Sequence, residues 1–261
     1  MKIRKSHLLA PLLTLCFMPE AHSLSLLMQK YHNVEFAVVE VSEHDSLQLF
    51  WKNAATEQPY QSFSTLNKTL QKEKQQLLFA INSGIFGQDQ SPLGWHMEKG
   101  ELLKGLNQIT RTNAIGNFSL IPNGVFFVNK DGSRHVLETE NFLRNQKRYE
   151  PLYATQSGPM LVVNGQLHPK FFPSSDSLKY RSGVCVKNNT TYFAVTQSPI
   201  NFYYFAKFFQ AELGCKDALY LDGTLSQLSY LGKIYGAPFW NVRPYVGIWA
   251  VTSPITKETS K

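Results

Sequence analysis

Residues Gly124 to Leu137 read GVFFVNKDGSRHVL. Two runs of β-branched and aromatic residues, GVFFV and SRHVL, flank Asn129, Lys130, Asp131 and Gly132, residue types that cap a turn or accept a positive φ. The stretch therefore predicts a β-hairpin. The same punctuation recurs along the chain. PMLVV and QLHP are split by Asn164 and Gly165, VCV and TTYFAV by Lys187, Asn188 and Asn189, and VEFAVVEV and LQLFW by the SEHDS stretch at residues 42–46. Sequential hairpins of this kind build a mostly antiparallel or mixed sheet, so the expected class is α+β, with a few helices packed on the strands.

Two segments carry helical periodicity instead. From Gln61 to Gln76, Phe63, Leu66 and Leu70 share one face. Further on, Ser198 and Pro199 suit an N-cap and first helical position, Phe202, Phe205, Phe209 and Leu213 recur at helical spacing, and Gly214 ends the run. That aromatic stripe is read as core packing. Each segment leads into a strand, LLFAIN or ALYLD, that stops at a polar turn containing glycine. Strand ends of this kind are where functional side chains are sought.

The chain has 261 residues, 43% of them hydrophobic and 17% charged, which is enough apolar matter for a core and excludes a disordered or collagen-like polymer. The first residues run MKIRKSH, LLAPLLTLCFM and PEAHS, a basic region, a short apolar run and small residues at Ala21 and Ser23. Residues 1–23 are expected to be a signal peptide, removed after Ser23, and residues 24–261 a single domain without linker, charge block or repeat. A lipoprotein signal at Cys16 is the lesser alternative, because Leu15 stands where a small residue is needed. Loss of three cations and one anion with the leader lowers the net charge from +7 to +5, too little and too dispersed for nucleic-acid binding. No later run reaches the roughly 20 apolar residues of a spanning helix, so stable membrane insertion is not expected once the leader is gone. The expected location is periplasmic or secreted. There Cys185 and Cys215 have two open readings, a disulfide or two buried thiols.

Four short motifs hold the candidate chemistry: NSGIF at Asn82–Phe86 with PLG at Pro92–Gly94, SGPML at Ser157–Leu161, RSGVC at Arg181–Cys185, and LDGTLS at Leu221–Ser226. Each is weak alone, since Asp-Gly at a strand end is usually a turn. In this order, with the helix after Ser198 between the last two, they resemble the phosphodiester glycosidase family, over most of the chain from Asn82 to Ser226. Departures are Ser83 and Ile85 in the first motif and Thr224 and Leu225 after Gly223, where the family pattern is richer in glycine and phenylalanine.

The resemblance implies hydrolysis of a bond between sugar C1 and phosphate, on a sugar-phosphate or an envelope glycan. Such a reaction needs a carboxylate near an oxocarbenium-like centre, and Asp222 is the candidate. Phosphate is a stable leaving group, so a cation that grips it is more useful than a carboxylic acid, and Arg181 is the candidate for that grip. Asn82 reads either as a ligand to sugar or phosphate or as a turn cap. Ser157 and Gly158 are candidate donors, Gly84, Phe86 and Gly223 candidate contacts, and Ser226 either holds the Asp222 loop or touches substrate. Trp95, Phe86 and Tyr230 are able to stack on sugars. His96, His135 and His168 fall on separate hairpins and are read as surface or satisfied core residues. No serine-hydrolase elbow, zincin or Walker motif occurs, and no cofactor or metal is expected. The competing reading is a glycan-binding protein that keeps the fold without catalysis.

Overall fold

The computed structural model describes residues 24–108, 116–222, 226–238, 240 and 244–255. Their strands form three sheets in which every pairing is antiparallel. In chain order the strands are β1 (Ser25–Tyr31), β2 (Val34–Val41), β3 (Leu47–Phe50), β4 (Gln75–Asn82), β5 (His96–Glu98), β6 (Glu101–Lys104), β7 (Gly124–Asn129), β8 (Arg134–Glu138), β9 (Pro151–Ser157), β10 (Met160–Val163), β11 (Gln166–Leu167), β12 (Ser182–Lys187), β13 (Thr190–Thr196), β14 (Ala218–Tyr220), β15 (Gln227–Tyr230), β16 (Lys233–Gly236) and β17 (Ile248–Pro254). Sheet one runs β1-β2-β13-β12-β14-β10-β11, sheet two β16-β15-β4-β17-β3, and sheet three β6-β5-β9-β7-β8. The helices are α1 (Phe63–Lys72), α2 (Thr139–Asn145) and α3 (Phe202–Lys207). The α+β class expected from the hairpin pattern is the class observed.

Strand alternation explains the layering. Successive side chains point to opposite faces, and a strand buried on both faces reads as a continuous apolar run. In β2, Ala37, Val39 and Val41 enter a core shared by all three sheets, with Phe79 and Ile81 of β4 and Phe126 of β7. Their neighbours Phe36 and Val38 face the other way, against Phe205, Phe208 and Phe209 of the α3 region. Sheet two likewise turns Ala80, Ile248 and Ala250 toward Leu66 and Leu70 of α1, and sheet three turns Val125 and Phe127 toward Phe142 of α2. Each sheet thus has one face in the common core and a helix on the other.

Three local expectations need correction. VEFAVVEV and LQLFW are not a hairpin, because β2 lies in sheet one and β3 in sheet two. Both edges of β2 are occupied, by β1 through the turn at His32 and Asn33, and by β13. The SEHDS segment, pinned by Asp45 accepting from Ser42 N at 2.8 Å and Ser42 Oγ at 2.9 Å, carries the chain between sheets. The third helix starts at Phe202 with Asn201 as its cap, accepting from Tyr204 N, and not at Ser198. Ile200 exchanges two main-chain hydrogen bonds with Lys179, which holds that stretch extended. Residues Phe208–Glu212 continue as a π-helical turn before Gly214 at φ +66°. The first helix is shorter than expected, capped by Ser62 and ended by Lys74 at φ +57°, with β4 beginning at Gln75.

Cys185 of β12 and Cys215, just before β14, form a disulfide with Cα atoms 6.3 Å apart. It ties the root of the Phe-rich helical segment to the strand that follows Arg181.

Candidate active site

The NSG turn, the start of β12 and the end of β14 converge where sheets one and two meet. Ser182 Oγ is the hub. Asn82 Nδ2 donates to it at 2.9 Å, Ser226 Oγ lies 3.2 Å away, the main-chain N–H of Asp222 reaches it at 3.3 Å, and it donates in turn to Asp222 O at 2.9 Å. Ser182 N also donates to Asp222 O, and Ser226 Oγ makes a short hydrogen bond to the same carbonyl. The other end of Asn82 is used too, since Oδ1 accepts from Gln227 N at 3.3 Å. Gln227 is held by Tyr245, whose hydroxyl donates to Oε1 at 2.6 Å, and by Ala237 O, which accepts from Nε2 at 2.6 Å. Asn82, Asp222 and Ser226 are thereby locked to one another through buried Ser182.

Two phenols report where the Asp222 charge acts. Burial raises Tyr245 far above the ordinary tyrosine range, and Asp222 pushes it further. Burial raises Tyr220 in the same way; Arg181 pulls it down and Asp222 pushes it up. The two charged residues singled out from the sequence therefore act on one buried phenol.

Arg181 itself is 1% exposed. Its Nε donates to Ile200 O at 2.8 Å and its Nη2 to Ser177 O at 2.9 Å, and the guanidinium carbon stands 3.6 Å from the ring centre of Phe202. Burial lowers its pKa, and Tyr220 opposes that shift. Alternation along the strand sends Arg181 to the α3 side and Ser182 to the inter-sheet side. Two of the N–H groups that a bidentate phosphate grip would employ are thus already donated to the main chain.

The other expected residues are placed as follows. Ser157 is buried and donates to Leu221 O at 2.8 Å, bracing the strand end that precedes Asp222. Gly84 lies so close to β9 that a Cβ would collide with Gln156 O, and a Cβ at Gly158 would collide with Asn123 Oδ1, so close packing explains both glycines. Phe86 bridges to Pro92 and packs beside the α1 cluster. Trp95 is a core residue 4.7 Å from Phe142, and the Tyr230 hydroxyl donates to Leu24 O at 3.2 Å. Gly223 lies outside the described residues, as do Thr224, Leu225 and residues 1–23, where the leader is expected. Among the described residues, no three His, Cys, Asp or Glu side chains are grouped to hold a metal ion.

Ser182, Gln227 and Tyr245 were not among the residues singled out. Ser182 sits inside the RSGVC motif, beside the more conspicuous arginine, and strand alternation is the signal that separates the two. Gln227 and Tyr245 carry no local signal, because they meet only through the pairing of β15 with β4 and the return of the chain before β17.

The phosphodiester glycosidase family model matches residues 75–252. The chain belongs to the phosphodiester glycosidase family. The matched stretch of this glycosidase-family chain contains every residue of the cluster above. The chain is 33% identical over 210 residues to the uncharacterized protein YigE of Escherichia coli (strain K12), covering 79% of this chain and 77% of that protein. Its fold is similar to the catalytic domain of zebrafish N-acetylglucosamine-1-phosphodiester alpha-N-acetylglucosaminidase, auto-inhibited by its pro-peptide, with a TM-score of 0.60 at 16% identity, covering 88% and 82% of the two chains. It is also similar to a putative exported protein of Burkholderia pseudomallei, with a TM-score of 0.51 at 11% identity and coverage of 84% and 74%.

Proposed function

We propose that this protein is an exported hydrolase that cleaves the bond between sugar C1 and the phosphate of a sugar-1-phosphodiester. The observation that carries the proposal is the Ser182 hub, which holds the main chain of Asp222 and the side chain of Asn82 on one hydroxyl, in a chain of the phosphodiester glycosidase family. Asp222 stabilises or attacks the anomeric centre as positive charge develops there. Asn82 and Gly223 are assigned to the substrate, Asn82 through the N–H and lone pair that Ser182 and Gln227 leave over. Arg181 is the cation assigned to the phosphate. With Nε and Nη2 donated to carbonyls, its contribution is a fixed positive potential behind Tyr220 more than a bidentate grip. Ser157 and Ser226 brace the Asp222 strand end. The Cys185–Cys215 disulfide supports an oxidising compartment, and with it the reading of residues 1–23 as a leader and of residues 24–261 as one exported domain.

The test is sugar release by the purified protein from a panel of sugar-1-phosphodiesters. Asp222→Asn keeps the size of the side chain and removes its charge, and its kcat is expected to fall by about a hundredfold or more, the usual loss on removing one preorganised electrostatic group. Full activity in Asp222→Asn would overturn the assignment of Asp222. A wild-type protein that retains glycans but releases no sugar would be a binding protein.

A further inference from the structure

The NSG turn has a second set of groups behind it that the proposed function leaves unused. His96 opens β5 opposite Thr155 of β9 and is 1% exposed. Its Nε2 lies 2.8 Å from Oε1 of Glu98, whose side chain is 18% exposed. With Nε2–H donating to that carboxylate, Nδ1 is the nitrogen left with a lone pair. Among the described residues Nδ1, which is buried, has no hydrogen-bond partner, so His96 departs from the satisfied core histidine expected from the sequence. A buried acceptor without a partner is a destabilising arrangement, and native proteins keep few of them. The imidazole is edged by Trp51 at 5.5 Å, and Glu98 also acts on the buried phenols of Tyr60 and Tyr153.

The path from His96 to the site runs past Gly247. A Cβ at Gly247 would collide with Ser83 Oγ and stand 3.3 Å from Cε1 of His96, so hydroxyl and imidazole face the same strip of backbone. Ser83 N donates to Gly247 O at 2.9 Å, which fixes the residue there. Its hydroxyl enters none of the hydrogen bonds that tie Asn82, Ser182 and Asp222 together. Ser83 adjoins Asn82, and its hydroxyl stands where the family resemblance implies glycine.

We infer that Ser83, His96 and Glu98 are the proton-handling arm of the site, an inference that rests on the glycosidase reading above. Hydrolysis breaks the bond between C1 and the phosphate oxygen, and the electron pair leaves with the phosphate as a monoester. An oxygen of water bonds to C1, and that water gives up one proton. The Ser83 hydroxyl accepts the proton while passing its own to Nδ1 of His96, a transfer that requires the hydroxyl to turn toward the ring, because Nδ1 is not hydrogen-bonded to it in this structure, and Glu98 stabilises the imidazolium until the proton returns to solvent. Ser83 touches the attacking water. His96 and Glu98 act through it and are positioning residues.

The experiment compares sugar release by the wild type, Ser83→Ala, His96→Gln, Glu98→Gln, the Ser83→Ala/His96→Gln double variant, and His96→Ala with and without added imidazole, with thermal midpoints measured in parallel. General-base assistance is typically worth about a hundredfold or more, so kcat should fall by at least that in Ser83→Ala and in His96→Gln, with KM little changed. The double variant should be no slower than either single one, and imidazole should restore part of the rate of His96→Ala. Unchanged kcat in Ser83→Ala and His96→Gln would overturn the relay while leaving the glycosidase reading standing, as would losses that multiply without imidazole rescue. Absence of sugar release by the wild type would remove the glycosidase reading and the relay together.

Discussion

Ser182→Ala is the perturbation that separates a hub from a bystander. The wild-type hydroxyl is fully buried and meets Asn82 Nδ2 and Asp222 O at 2.9 Å, Ser226 Oγ at 3.2 Å and Asp222 N at 3.3 Å. Alanine removes it without creating space for water. Asn82 Nδ2 then keeps only a long contact of 3.4 Å to Ser83 O, and the Asp222 N–H loses its side-chain acceptor. A buried polar group left unsatisfied costs about 1–3 kcal/mol, and Asp222 O keeps its bonds from Ser182 N and Ser226 Oγ, so the expected destabilisation is about 2–4 kcal/mol. For a domain of this size that corresponds to a fall in Tm of roughly 5–15 °C. Urea titration should show a lower midpoint with an unchanged slope, because the surface exposed on unfolding is the same. Sugar release should fall more steeply than stability at a temperature where the variant is folded, since the main chain at Asp222 loses its anchor. A Ser182→Ala protein within about 0.5 kcal/mol of the wild type, the scatter of ordinary surface substitutions, would refute the hub and with it the account of how Asn82 is tied to Asp222.

Replacing Cys185 and Cys215 together with alanine releases a loop with a sequence separation of 30, and the chain-entropy relation gives a loss of about 3–4 kcal/mol, measurable as a denaturation midpoint compared with that of the untreated wild type. Ser62→Ala removes the cap that accepts from Thr65 N at 3.0 Å, at the end of α1 where Phe63 stacks on Tyr245, and should cost about 1 kcal/mol by the same assay. Burial lowers the pKa of His168 below 6.5 despite its bond to Ile121 O, so below 6.5 the unfolded chain binds a proton that the native state still refuses. Stability should therefore fall as pH drops from 6.5 toward the lower native value, and His168→Gln should flatten that part of the pH–stability curve.

Most hairpin strands, the two helices that carry an apolar stripe and the family motifs were legible in the sequence for local reasons, whereas α2 was not read. A hairpin such as β7–β8 is specified by its own turn, and α1 by the spacing of Phe63, Leu66 and Leu70, so both can be read within about 15 consecutive residues. Asn82 and Asp222 were visible because they stand at strand ends close to glycine in the sequence, and Arg181 because it opens the RSGVC motif of the family resemblance. Whether β2 pairs with β3 is not a local matter, since it depends on which strands already occupy the edges of β2. The start of α3 was misplaced for a similar reason, because the competing partner of Ile200 is Lys179, twenty-one residues away in sequence. The site divides in the same way. Sequence by itself marked a carboxylate, an arginine and an asparagine as the chemistry of this chain. Tertiary structure alone decided that Ser182 joins two of them, that the arginine faces a buried ring and two carbonyls, and that Ser83 and His96 both face Gly247, because alternation fixes a side chain's face only after the strand's neighbours are known.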